Sequence, residues 1–160
     1  MPLDIVVDTN VFMHAGNPTA VSFFGASKTF LENLKNSQTL LCFDKPNAGA
    51  EDRQGDSLIY GEYIQRIVPG VYGFNVLAAL ALNQKIKFVS RDVGPARNRM
   101  VIELIPGNKR DRTFLRTTMN SADRILITND FDDFTPEIRK RIKRQLTTTV
   151  KDATVRWTSL

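Results

Sequence analysis

The sequence predicts an α/β domain, with a mostly parallel central sheet and helices on both faces in a three-layer α/β/α arrangement. Three observations predict it. Short apolar, β-branched runs alternate with longer segments of helical period along the 160 residues. The first run, "IVV" at 5–7, is apolar without alternation, as a strand buried on both faces must be, and such strands belong to parallel sheets. Two runs end directly on acids, Asp8 after "IVV" and Asp130 after "ILITN". In open α/β sheets that carboxyl edge is where ligands bind.

The elements follow in order. A first strand over about 4–7 precedes a helix from Val21 to Leu34, with Phe23, Phe24, Phe30, Leu31 and Leu34 on its core side. "TLLCF" at 39–43 reads as the second strand. "DKPNAGAEDRQGD" at 44–56 has the Gly, Pro and mixed charge of a mobile loop. "SLIYGEYIQRI", from Asp56 or Ser57, and the strongly apolar "FNVLAALALN" at 74–83 are helical, and "IKFVS" at 86–90 is the third strand. A helix over about 95–104 is bracketed closely by Gly94, Pro95, Pro106 and Gly107. Another begins near Asp111 in "DRTFLRTTM", and "RILIT" at 124–128 is a strand. Thr135 caps a helix with Pro136 at its first position and Glu137 in its first turn. That helix, "PEIRKRIKRQL", carries a thin apolar stripe of Ile138, Ile142 and Leu146 among Arg139, Lys140, Arg141, Lys143 and Arg144. A last strand is expected over about 153–157 in "ATVRW".

A chain of this length forms one domain, 1–160, and buries roughly 70% of its unfolded surface. The single cysteine, Cys42, excludes an internal disulfide and a Cys-rich zinc site, and points to a reducing, cytoplasmic setting. There is no apolar run of transmembrane length, and the start "MPLDIVV" lacks the basic and apolar regions of a signal peptide. The net charge of +5 is unevenly placed. Residues 1–80 hold 5 Lys and Arg against 8 Asp and Glu, whereas residues 81–160 hold 17 against 9. A positive half suggests a polyanion such as nucleic acid, with a solvated charged face as the plain alternative.

The acids carry the chemistry. If the strands ending at Asp8 and Asp130 are neighbours, about 4.8 Å apart, both carboxylates face one crevice at a topological switch point. Asp111 begins a helix whose Phe114 and Leu115 face the core, so its carboxylate lies on the core side of the first turn. Glu62 borders the apolar stripe of Ile59, Tyr63 and Ile67, and Glu103 is held in reserve. Each acid taken singly also fits a cap, a turn or an amphipathic boundary. Together they would repel each other and protonate unless a cation compensates. An all-oxygen site without Cys and with a single His favours Mg²⁺ or Mn²⁺ over zinc. With basic helices nearby, a phosphodiester is the natural substrate.

Other chemistries lack parts. His14, the only histidine, has no Ser or Cys motif to serve. "GASKT" at 25–29 resembles a phosphate loop only superficially. Phe114, Phe131 and Phe134 fit core packing better than base stacking. A phosphohydrolase with Asp8 as covalent nucleophile wants a second Asp where Asn10 stands.

"IVVDTNVF", "EYIQRI", "DRTFL" and "ILITNDFDDF" occur in the order and approximate spacing of a PIN domain, and the resemblance runs from about residue 3 to residue 157. The first and last motifs carry most of it. The resemblance implies a parallel sheet, an acidic cluster and Mg²⁺- or Mn²⁺-dependent cleavage of RNA, as a toxin of a toxin and antitoxin pair or as an RNA-processing nuclease. Position by position it implies Asp8, Glu62, Asp111 and Asp130 as metal ligands, with Thr9, Asn10 and Thr128 orienting them. Asp132 and Asp133 compete with Asp130 if the turn is shifted. The backbone of RNA, single-stranded or structured, would be held by Arg110, Arg112, Arg139, Lys140, Lys143 and Arg144. A protein antitoxin or regulator and a second copy of the chain stay open as partners, and no membrane is expected. Two departures stand out: the long loop with Glu51, Asp52 and Asp56, and the basic segment from Arg91 to Arg112. A PIN-like binding module with little activity is the alternative function.

Overall fold

The computed structural model describes residues 1–46 and 57–160. Strands β1 (Asp4–Val7), β2 (Leu40–Lys45), β3 (Ile86–Ser90), β4 (Ile125–Ile127) and β5 (Thr149–Lys151) form one five-stranded sheet in the order β3-β2-β1-β4-β5. Every neighbouring pair is parallel, with Asp4 opposite Leu40 and Val7 opposite Ile127. β1 is therefore central, and Ile5, Val6 and Val7 are fully buried, as their unbroken apolar run requires.

Helices α1 (Thr9–Ala15), α2 (Phe24–Asn36), α3 (Leu58–Arg66) and α4 (Tyr72–Leu82) belong to the crossovers that run from β1 out to β3. Helices α5 (Pro95–Leu104), α6 (Lys109–Asn120) and α7 (Pro136–Leu146) belong to those that run the other way. Right-handed crossovers in opposite directions place the two groups on opposite faces. The packing agrees for most of them, with α2 on α1 and α4 and α5 on α6 and α7, while α3 meets both α1 and α6. Reversal of direction at β1 leaves a crevice where β1 and β4 end side by side. No helix among the described residues is long and apolar enough to cross a membrane.

α1 packs against α4 at Gly73, which is buried. A Cβ built there would meet the carbonyl of Phe12, with the carbonyl carbon at 3.0 Å. Backbone cannot give way as a flexible side chain can. Gly73→Ala is expected to lower stability by about 1–3 kcal/mol, read as a shift in urea midpoint with unchanged slope.

Three expectations need correction. The last strand is Thr149–Lys151, not 153–157, because Thr147 adopts a left-handed conformation (φ 51°) that turns the chain from α7 straight into the sheet. Ala153, Val155 and Trp157 alternate instead because they form a strap over the core, where Trp157 meets Phe30 edge-on at 5.3 Å. The stretch after Asp8 is a helix, and the helix expected from Val21 begins only at Phe24. Asp44, assigned to the loop, is the penultimate residue of β2 and fully buried. It accepts from Ser57 Oγ and Ile59 N, both at 2.8 Å, and from Arg91 Nη1 at 2.6 Å. A carboxylate at the start of α3 suits the helix dipole and fixes the direction of the helix that carries Glu62. The rest of the expected loop, 47–56, with Glu51, Asp52 and Asp56, lies outside the described residues.

Candidate metal centre and its cleft

Asp8 follows β1 immediately and caps α1. Its Oδ2 accepts from Thr128 Oγ1 at 2.7 Å and Asn10 Nδ2 at 2.8 Å, whereas among the described residues Oδ1 has only the Asn10 amide at 3.4 Å. One oxygen is thus held and the other left available. Thr128, which follows β4, also accepts from the Asp130 amide at 3.1 Å, so one hydroxyl ties the ends of both strands together. Asp8 is 5% exposed, and burial pushes its carboxyl up to about 6 against the opposing bonds from Thr128 and Asn10, with the charges of Glu62 and Asp130 adding to the rise.

Asp111 enters from the first turn of α6, whose start is set by Asn108 capping Arg110 N and Asp111 N. It is 6% exposed, and its buried Oδ2 has no hydrogen-bond partner among the described residues. Burial, and then the charge of Asp8 and contacts with Asp133 and Asp130, push its carboxyl up to about 9. Carboxylate oxygens of Asp111, Asp130 and Asp133 lie within 4.8 Å of one another. Asp130 Oδ1 accepts from the amides of Asp132 (2.7 Å) and Asp133 (3.3 Å), and Asn108 Nδ2 donates to Asp133 at 3.2 Å. The turn is therefore shaped so that Asp133 faces the cluster and Asp132 faces solvent.

Glu62 stands on α3 across the cleft, where its Oε1 accepts from Thr9 Oγ1 at 2.9 Å and lies 3.9 Å from Arg66 Nε. Asp8, Glu62, Asp111 and Asp130, with Asn10, Asn108, Arg66 and Arg110, line one cavity of about 410 Å³. An orphaned buried carboxylate oxygen inside an all-oxygen cluster is what a hard divalent cation satisfies. The residues fit a hard divalent cation.

No family model matches the chain, and no curated protein matches it either. Among solved structures it is similar to VapBC2 from Rickettsia felis bound to a DNA fragment from their promoter, at 11% identity and a TM-score of 0.46 over 93% of this chain and 98% of that one. At that level of similarity, function is read from this chain's own side chains.

Those side chains include several that the sequence did not single out. Asn129 is buried and gives Nδ2 to Ser27 Oγ (2.9 Å) and His14 Nδ1 (3.0 Å), while its Oδ1 takes Ala153 N (3.0 Å). It joins α1, α2, the end of β4 and the C-terminal strap behind the acids. His14 lies on Phe23, Phe23 on Phe131, and the Arg139 guanidinium sits 4.2 Å from the Phe131 centroid. Phe131 thus has two partners at its ring, Phe23 and Arg139, which argues against its use for stacking a base. Arg139 donates to the carbonyls of Phe134 (2.7 Å), Asp130 (2.8 Å) and Thr128 (3.2 Å), so it fastens the acidic turn.

The remaining basic residues spread apart. Arg112 Nη1 donates to the carbonyls of Ile105 and Pro106, closing the end of α5. Lys143 Nζ donates to Thr149 Oγ1 at the amino end of β5, so that end of α7, with Arg144, points away from the acids. Lys140 is exposed on α7 and does not line the cavity. Arg110 does line it. Arg66, ignored in the sequence, does so too. Glu103 is exposed on α5 and stands outside it.

Proposed function

We propose that this protein is a Mg²⁺- or Mn²⁺-dependent ribonuclease. The observation that carries the reading is the unpartnered, buried Asp111 Oδ2 beside Asp130 and Asp133, in a cleft that Asp8 and Glu62 also line. A pure binding module has no use for such a cluster, which destabilises the fold that contains it. Asp111, Asp130 and Asp133 would hold the cation, and Asp8 and Glu62 face it from β1 and α3. When bound, a cation of this kind neutralises the carboxylates, polarises a phosphoryl oxygen and makes a water more acidic. Asp8 is held by Thr128 and Asn10 so that Oδ1 stays open toward the cleft and can take a proton from attacking water. Arg66 and Arg110 at the rim supply positive charge for the phosphate.

A protein partner that covers the cleft, such as an antitoxin, is a further proposal that rests on the sequence resemblance to PIN domains. The test is cleavage of end-labelled single-stranded RNA by the purified chain with Mn²⁺, Mg²⁺ or EDTA. Cutting with either cation and none in EDTA is expected. Equal cutting in EDTA, or no cutting of any RNA offered, overturns the reading.

A further inference from the structure

The acid cleft opens into a second cavity of about 460 Å³ between α3 and α6, and the two share Glu62, Arg66 and Arg110. Its α6 wall combines Phe114 with polar and basic side chains. Lys109, Arg110 and Thr113 line it, and Arg116 lies one turn further along the same face. Arg116 donates to Thr113 Oγ1 at 3.3 Å and to Asn98 Oδ1 at 3.1 Å, and its buried Nε has no partner among the described residues. Arg116 in turn lines a third cavity, of about 580 Å³, together with Arg91 and Asn98. From Arg110 to Arg116 this stripe covers about 9 Å of helix. On the facing α3, Gln65 and Arg66 are exposed. Lys109 and Arg110 are exposed as well, and neither side chain has a hydrogen-bond or ion-pair partner among the described residues.

Lys109 and Arg110, in a groove that shares Glu62, Arg66 and Arg110 with the proposed cleavage cleft, and Arg116, which lines the next cavity while bonded to Thr113 and Asn98, together form a track for a polyanion. We infer that one strand of RNA lies in the groove between α3 and α6, its phosphates on Lys109 and Arg110 near the acids and on Arg116 at the far end. This rests on the ribonuclease reading for its polymer; it keeps Arg110 from the sequence expectation and departs from it at Arg112 and α7. α7 is the weaker track because Arg139 is occupied by carbonyls and Lys143 and Arg144 lie toward the opposite edge of the sheet.

The experiment is binding of a fluorescent single-stranded RNA of roughly ten nucleotides to the full chain in EDTA, followed by anisotropy at several salt concentrations. Lys109→Ala and Arg116→Gln are each expected to raise Kd at least about threefold and to reduce the slope of log K against log salt by about one. Lys109 is exposed, so its variant tests the groove even if Arg116→Gln lowers the melting temperature. The inference is overturned if both variants bind within about twofold of the parent, the more so if Lys140→Ala with Arg144→Ala loses binding. A parent that binds no RNA also overturns it. RNA bound as expected but never cut with Mn²⁺ defeats the ribonuclease reading and leaves the groove standing. Cutting that ignores Lys109 and Arg116 does the reverse.

Discussion

Asp8→Asn is expected to slow RNA cleavage by at least about a hundredfold while leaving the fold and RNA retention close to those of the parent. The change removes a charge at nearly constant shape. An amide oxygen in place of Oδ2 still accepts from Thr128 Oγ1 and Asn10 Nδ2, so the tie between the ends of β1 and β4 survives. What disappears is the open, charged Oδ1, the atom placed to receive a proton. Thermal melting and RNA binding of the variant separate this from unfolding. A variant that cuts as fast as the parent removes Asp8 from the chemistry.

Asp111→Asn is expected to stabilise the cation-free protein by roughly 1–2 kcal/mol at neutral to alkaline pH, and to abolish cleavage. The sign follows from the carboxyls of Asp8 and Asp111, which lie at about 6 and about 9 in the folded chain against an ordinary 3.8. Between those values the folded state holds protons that the unfolded chain has released, so stability falls as pH rises. Both groups contribute to the loss from the ordinary carboxyl range upward; the Asp8 part is complete near about 6, and the Asp111 part continues up to about 9. Asp4 works in the opposite direction at the acid end: its carboxyl is held below the usual range by Lys87 and the amides of Ala122 and Asp123, although burial opposes them. Melting scans in EDTA across this range are expected to show a decline toward high pH. Mn²⁺ should reverse it in the parent and have little effect in Asp111→Asn. A parent whose melting temperature ignores both pH and Mn²⁺ would remove the metal centre from consideration.

The two predictions draw on residues that were legible to different degrees. Asp8 was legible in position, directly beyond a fully apolar strand, although taken singly it also fitted the helix cap that it forms. Asp130 was legible for the same reason, and the pairing of β1 with β4 brought the two ends together as expected. Asp111 was reachable from the spacing to Phe114 and Leu115, which fixed the side of α6 on which it lies. Asp133 was weighed only as a competitor. Its place beside Asp111 and Asp130 depends on two amide bonds to Asp130 Oδ1 and on Asn108, which arrives from 25 residues upstream.

Local periodicity and the chemistry of strand ends were enough to determine an α/β fold, a parallel sheet and a set of acids at its carboxyl edge. Those properties are written within a few residues of each other. Only the tertiary structure decided that "ATVRW" is a strap, because alternating burial looks the same whether a strand or a core-covering loop produces it. It also decided that Arg139 buttresses the acidic turn while Arg66 and Lys109 line the groove. A cation's role depends on which carbonyls and carboxylates the fold brings within about 3 Å of it, and sequence spacing carries no record of that.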